Sequence, residues 1–177
     1  MLDALITSKT RIKLLLKFFL NSENIGYLRN LENELGDNTN AIRVELNKLE
    51  DAGLLISFSK GNKKFFQSNK KHPLFPDINS ILMKLTGLDQ LISRVLNKVG
   101  DLKQVYLVGD LATGIESEII DLILVGDIDR EYFNSLVIKS EKYIHKKIRY
   151  VIFQLDEFES KKSKIIGENG LKIWENL

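Results

Sequence analysis

Apolar residues recur at intervals of three and four through the first half of the chain, which is the spacing of helices with one buried stripe. In "TSKTRIKLLLKFFLNSENIG" the stripe is Ile12, Leu15, Leu16 and Phe19; Thr7 or Ser8 can cap the start, and Gly26 lies past the end. "YLRNLENELG" predicts a shorter helix with Leu28, Leu31 and Leu35 inward and Gly36 ending it. A third follows in "DNTNAIRVELNKLEDAGLL", capped by Asn38 or Thr39, with Ile42, Leu46 and Leu49 inward and a close at Ala52-Gly53. The pattern then shortens. "LLISFSKGNKKFFQSN" reads as two strands around the turn dipeptide Gly61-Asn62, with Lys60, Lys63 and Lys64 at the tip.

Helical spacing returns after Pro73 and Pro76. Pro76 fits the first turn of a helix that turns Ile78, Ile81, Leu82 and Leu85 inward, and a second stripe runs through Leu88, Leu91, Ile92, Val95 and Val99. Beyond Asp101, strands and helices alternate. "QVYLV", "DLILV" and "KIRYVIFQL" read as strands, "DREYFNSLVIKSEKYIHK" as a helix opened by Asp129, and "EFESKKSKI" as a last helix that Asp156 can cap. The expected fold class is α+β: an N-terminal winged helix-turn-helix domain over residues 1–74, a helical connector over 75–100, and a C-terminal α/β domain over 101–177.

Composition adds location and charge. No run reaches the roughly 18 apolar residues of a membrane span, and Lys13 and Lys17 interrupt the run "IKLLLKFFL", which reads as an amphipathic helix and not a leader. The chain has no cysteine, which excludes disulfides and fits a cytoplasmic protein. His72 and His145 have no second ligand at metal spacing, and nothing calls for a cofactor. Residues 1–74 hold 12 Lys and Arg against 8 Asp and Glu, whereas residues 75–177 hold 14 against 16. A basic first half joined to a slightly acidic second half points to a polyanion contact made by the first.

Three helices, two of them joined by a tight glycine-containing turn, and a lysine-tipped hairpin are the parts of a winged helix. The run from Asn38 to Leu55 resembles the recognition helix of winged-helix repressors of the ArsR/MarR type: a polar start, Ile42, Leu46, Leu49 and a closing Ala52-Gly53-Leu54. The resemblance implies duplex DNA as partner. Asn38, Thr39, Asn40, Arg43, Val44 and Asn47 would face a major groove, while Lys60, Asn62, Lys63 and Lys64 would contact phosphate. The bland alternative is that Asn38 to Asn40 only cap the helix and "KGNKK" is a solvated tip. Glu45, near the same face, would repel phosphate if it pointed outward. The apolar surplus of the connector and the palindromic sites that such proteins read predict a homodimer.

The second half resembles the small nucleotidyltransferases of the DNA polymerase beta superfamily, in which a strand ends in Gly-Ser, a loop follows, and "D-x-D" opens the next strand. "LVGDLATGIESEIIDLILVG" has that layout. The resemblance implies a nucleotide site at Gly109, Asp110 and Asp121. In the active family two magnesium ions are held by the paired aspartates; here Asp110 stands at the serine position and Ile119 at the first aspartate, and "IRYVIF" lacks the third carboxylate. Glu116, Glu118 and Asp110 are possible substitutes, and Asp127 and Asp129 read as turn and cap residues. The expectation is therefore a remnant site, no metal and no enzyme activity, in a transcriptional regulator whose second domain regulates or assembles, with a small-molecule or protein effector there. An active nucleotidyltransferase that modifies a protein or small molecule, and a protein-binding adaptor, are the alternatives.

Overall fold

The computed structural model describes residues 6–167 and 170–176, with the side chain of Asn97 left aside. It is a mixed α+β structure with two sheets, and it divides into two compact units. One ends at Leu85 and takes in Gly114–Glu116; the other comprises Thr86–Thr113 and Ser117 onward. Among the described residues no helix is long and apolar enough to cross a membrane.

In the first unit, helix α1 (Lys9–Leu15) is capped by the Ser8 side chain, which accepts from the Arg11 amide, and continues as a π-helical turn over Leu16–Leu20. The expected single stripe widens here: Leu14, Phe18 and Leu20 are buried together with Leu15, Leu16 and Phe19. The apolar run "LLLKFFL" is too dense for one face, so the segment is enclosed nearly all round. Lys17 lies inside it, 4% exposed, and pairs with Glu34 at 2.7 Å. Strand β1 (Gly26–Tyr27), which the sequence did not suggest, precedes α2 (Leu28–Leu35) and α3 (Thr39–Asp51). Asn38 caps α3, its side chain accepting from the amides of Asn40 and Ala41.

Strands β2 (Leu55–Lys60) and β3 (Lys63–Ser68) form the hairpin. Gly61 opens its turn at φ 61°, a left-handed conformation that costs glycine little. The order β1-β3-β2, antiparallel throughout, makes a small sheet. Leu55, Phe66 and Ser68 turn to its covered face, which joins Leu31, Leu35, Ile42, Leu46 and Leu49 in the core. Helix α4 (Phe75–Thr86) packs on the same unit, with Phe75 against Phe19 and the Asn79 amide donating to the Phe19 carbonyl at 2.7 Å. Leu82 is buried as expected, but Ile81 is not; it is 49% exposed.

The second unit begins with α5 (Leu88–Arg94), so the stretch expected as one connector is divided between the units. Strands β4 (Asp101–Val108), β5 (Ile119–Asp127), β6 (Lys147–Phe153) and β7 (Leu171–Glu175) form a sheet in the order β6-β5-β4-β7. β5 and β6 run parallel, and the other pairs are antiparallel. A short helix, α6 (Gly109–Thr113), follows β4; α7 (Arg130–Ile144) joins β5 to β6, and α8 (Leu155–Ile166) lies between β6 and β7. Alternation along β5 sends Ile120, Leu122 and Leu124 to one face and Ile119, Asp121, Ile123 and Val125 to the other. On the latter face Phe158 of α8 covers Ile123 and Val125 with Tyr106, which leaves the Asp121 end uncovered by this cluster.

Several local expectations change. Asp156 does not cap α8: Gln154 occupies the cap position without a side-chain bond. Asp129 does cap α7, accepting from the amides of Glu131 and Tyr132. Asp127 is the last residue of β5, opposite Asp101, and not beyond the strand. Strand β7, which was not expected from the sequence, carries Trp174 opposite Val105.

Candidate functional sites

Two places gather the residues singled out in the sequence, one in each unit. In the first, α2, α3 and the hairpin enclose a groove of about 630 Å³. From α3 it is lined by Thr39, Arg43, Leu46 and Asn47, which share one helical face at intervals of three and four. From the hairpin come Asn62, Lys63, Lys64 and Phe66; from β1 and α2 come Tyr27, Leu28, Arg29 and Glu32. Four cations against one carboxylate give the groove a net positive lining. Asn38, Asn40, Val44 and Lys60 are exposed but do not line it.

The electrostatics of these groups differ. Lys64 is paired with Glu50 at 2.6 Å, and its ammonium lies over the Phe66 ring, so its charge is partly spent inside the protein. Hydrogen bonding from Lys64, then from Ser57, holds the Glu50 carboxyl below its usual range. Lys63 sits over the Tyr27 ring, 4.4 Å from its centre. Arg29 and Arg43 make no ion pair among the described residues. Asn38 uses its side-chain oxygen for the cap. Glu45 turns away from the groove: it is 7% exposed and bonds the Arg11 guanidinium at 2.7 Å. Burial pushes its pKa up, but bonds from Arg11 and Ser8 outweigh this, so it stays ionised below the ordinary value. Sequence reasoning missed Arg29. Leu28, expected inward, is half-buried and lines the groove; the available signal for Arg29 was its position two residues before the buried Leu31, which turns it out of the core of a helix that already flanks α3.

In the second unit, Gly109 and Asp121 meet at the end of β4 and the start of β5, where Asp121 lies opposite Val108. Gly109 has φ 69°, and a β-carbon there would stand 2.6 Å from Asp121 Oδ2. Only glycine leaves room for the carboxylate. On the other side Asp121 lies in register with Arg149 of β6, whose Nε donates to Oδ1 at 2.6 Å and whose second guanidinium nitrogen donates to Oδ2 at 2.9 Å. This bidentate bond, then the charges of Asp121 and Asp110, holds the guanidinium above its ordinary value. Asp110 is exposed beside it, and Ile119 is half-buried at the alternate position. Glu116 and Glu118 are exposed. Both oxygens of Asp121 are taken by a cation of the protein. This donor set, as arranged, does not fit a pair of magnesium ions. The strand position expected to lack a carboxylate carries a guanidinium instead; the sequence showed Arg149 but not its register against Asp121.

No family model and no curated protein matches the chain. Two solved structures are similar to parts of it. One is a mutant of the toxin–antitoxin MntA-HpeT, 15% identical, covering 50% of this chain and 73% of that one with a TM-score of 0.40. The other is a Sulfolobus solfataricus protein assigned as a nucleotidyltransferase, 18% identical, covering 56% of this chain and 86% of that one with a TM-score of 0.35. The expectation that the chain has no enzyme activity is corrected here: the second of these structures is described as a nucleotidyltransferase, and the missing first aspartate of this chain excludes no activity.

Proposed function

We propose that the first unit is a winged helix that binds duplex DNA in the groove between α3 and the hairpin, as a transcriptional regulator does. The observation that carries this reading is the convergence of Arg29, Arg43, Asn47, Asn62 and Lys63 around one groove with a single opposing carboxylate, Glu32. Guanidinium and amide groups pair with base edges in the major groove, and hairpin lysines meet phosphate. The inward turn of Glu45 removes the anion that would oppose such a contact. In this reading the protein acts as a homodimer, for which Leu74 and Ile81 supply exposed apolar surface; light scattering at micromolar concentration tests that part.

The test of DNA binding is selection of preferred duplex sites with the whole chain, followed by fluorescence anisotropy across salt concentrations. Arg43→Ala is expected to cost about 1–3 kcal/mol and relax preference at one base pair. Lys63→Ala is expected to weaken all sequences alike and to shallow the salt slope by about one unit. A wild-type protein with no preferred site and no salt dependence overturns the reading and favours a protein-binding adaptor.

A second reading assigns nucleotide transfer to the second unit. It rests on the room that Gly109 leaves for the Asp121 carboxylate at the junction of β4 and β5. Incubation with labelled nucleoside triphosphates and divalent cations tests it. Label incorporated by the wild type and lost in Asp121→Asn supports transfer; no label with either removes it.

A further inference from the structure

The three-stranded sheet has a second face, away from the core, that shares only Tyr27 and Lys63 with the groove. Its residues alternate with the buried ones: Ile56, Phe58 and Lys60 of β2, Lys63, Phe65 and Gln67 of β3, and Tyr27 of β1. Three rings cross the strands in register, Tyr27 opposite Phe65 and Phe65 opposite Phe58. Phe58 and Phe65 stack at 5.6 Å and 12°, and Tyr27 meets Phe65 edge-on at 5.2 Å. Ile56 and Phe58 are 43% and 40% exposed.

Charge on this face has one sign. Lys60 and Lys63 stand directly opposite each other at the hairpin end, and none of the seven positions is acidic. Like charges opposed across a ladder destabilise it unless something negative lies between them. A ligand that stacks on rings and brings negative charge to one end of the row satisfies both features. A second copy of the chain, docked by the same face, would bring no carboxylate from these seven positions to meet the lysines.

We propose that this outer face binds a short run of unpaired nucleotides of single-stranded nucleic acid. Bases stack on Phe58 and the neighbouring rings, and the phosphates lie against Lys60 and Lys63. Duplex DNA does not present its base faces, so this site is separate in chemistry from the α3 groove, although Tyr27 and Lys63 border both.

The test uses the whole chain, a fluorescent oligo-dT strand and, in parallel, a duplex hairpin. Wild-type protein is expected to bind oligo-dT at low salt. Phe58→Ala, and Phe58→Leu, which keeps an apolar side chain but removes the ring, are each expected to weaken oligo-dT binding about tenfold with duplex binding unchanged. Arg43→Ala is expected to do the reverse. Thermal melts of the Phe58→Leu protein show that it is folded. No binding of oligo-dT at low salt overturns the proposal, as does equal binding by the wild type and both Phe58 variants. A dimer seen by light scattering that Phe58→Ala dissolves assigns the face to a second copy and also overturns it. Loss of duplex binding alone in wild type removes the groove reading and leaves this one standing.

Discussion

The two candidate sites differ in what the protein has already done with their charges. In the groove of the first unit, Arg29 and Arg43 have no ion-pair partner among the described residues, and the nearest buried carboxylate, Glu45, is turned inward against Arg11. In the second unit the carboxylate of Asp121 is satisfied on both oxygens by Arg149. An unpaired cation at a surface lowers its energy by meeting an external anion, whereas a closed bidentate pair must first be opened. The lesson is that the type of a residue says less than whether the fold leaves its hydrogen-bonding capacity in use.

Perturbing each unit separately sharpens this contrast. The largest expected effect is in the first unit: Glu34→Ala leaves the Lys17 ammonium buried without its partner. Glu34 keeps about a third of its side-chain surface in water, so the cost is expected below that of a fully buried pair, at about 2 kcal/mol. Denaturant unfolding followed by a probe in each unit should show the loss in the first. Gly109→Ala comes next. The methyl group would crowd the Asp121 carboxylate and sit at an unfavourable φ, for about 1–2 kcal/mol of destabilisation in the second unit only. If the loss appears equally in both units, they do not unfold independently.

Arg29→Ala should reduce duplex affinity about tenfold, roughly 1.4 kcal/mol, with no change in melting temperature; equal affinity would move the contact surface off α2. The smallest effect concerns pH. The folded-state pKa of Glu45 is lowered from 4.5, so its ion pair contributes fully above the unfolded value, and this contribution is lost as the pH falls through the depressed folded value. Melting temperatures recorded from neutral pH down to the region below 4.5 should converge for wild type and Glu45→Gln as the solution becomes acidic. Parallel curves would show that folding leaves the pKa of this carboxyl where it stands in the unfolded chain.

Much of the first unit was legible from spacing because its helices carry the signals that local chemistry enforces: Asn38 at the cap, Leu31 and Leu35 inward, Gly36 at the close. What escaped depends on partners distant in sequence. The two residues of β1 are a strand only because β3 lies beside them, and no periodicity can show in so short a run. β7 escaped for a similar reason, since half-buried Trp174 takes its place from Val105 some seventy residues earlier. At the second site Gly109 and Asp121 were visible as a motif, while the meaning of Arg149 was hidden in the pairing of β5 with β6. Of the groove residues on α3, Thr39, Arg43 and Asn47 were read from its outward face and Leu46 as inward, while Asn38, Asn40 and Val44 do not line the groove; Arg29 was passed over because it lies on a different helix.

The Asp121–Arg149 bond has a consequence for how the chain finds its native form. β5 and β6 run side by side in the same direction with α7 between them, a pairing that must be reached across a long stretch of sequence and is slow to form. A slip of one residue would turn the guanidinium to the opposite side of the pleat from the carboxylate. The two charges can therefore act as an alignment key that discriminates among misthreaded ribbons while the sheet is assembling. Exchanging them, with arginine at 121 and aspartate at 149, should preserve correct threading, whereas placing the same sign at both positions should slow refolding.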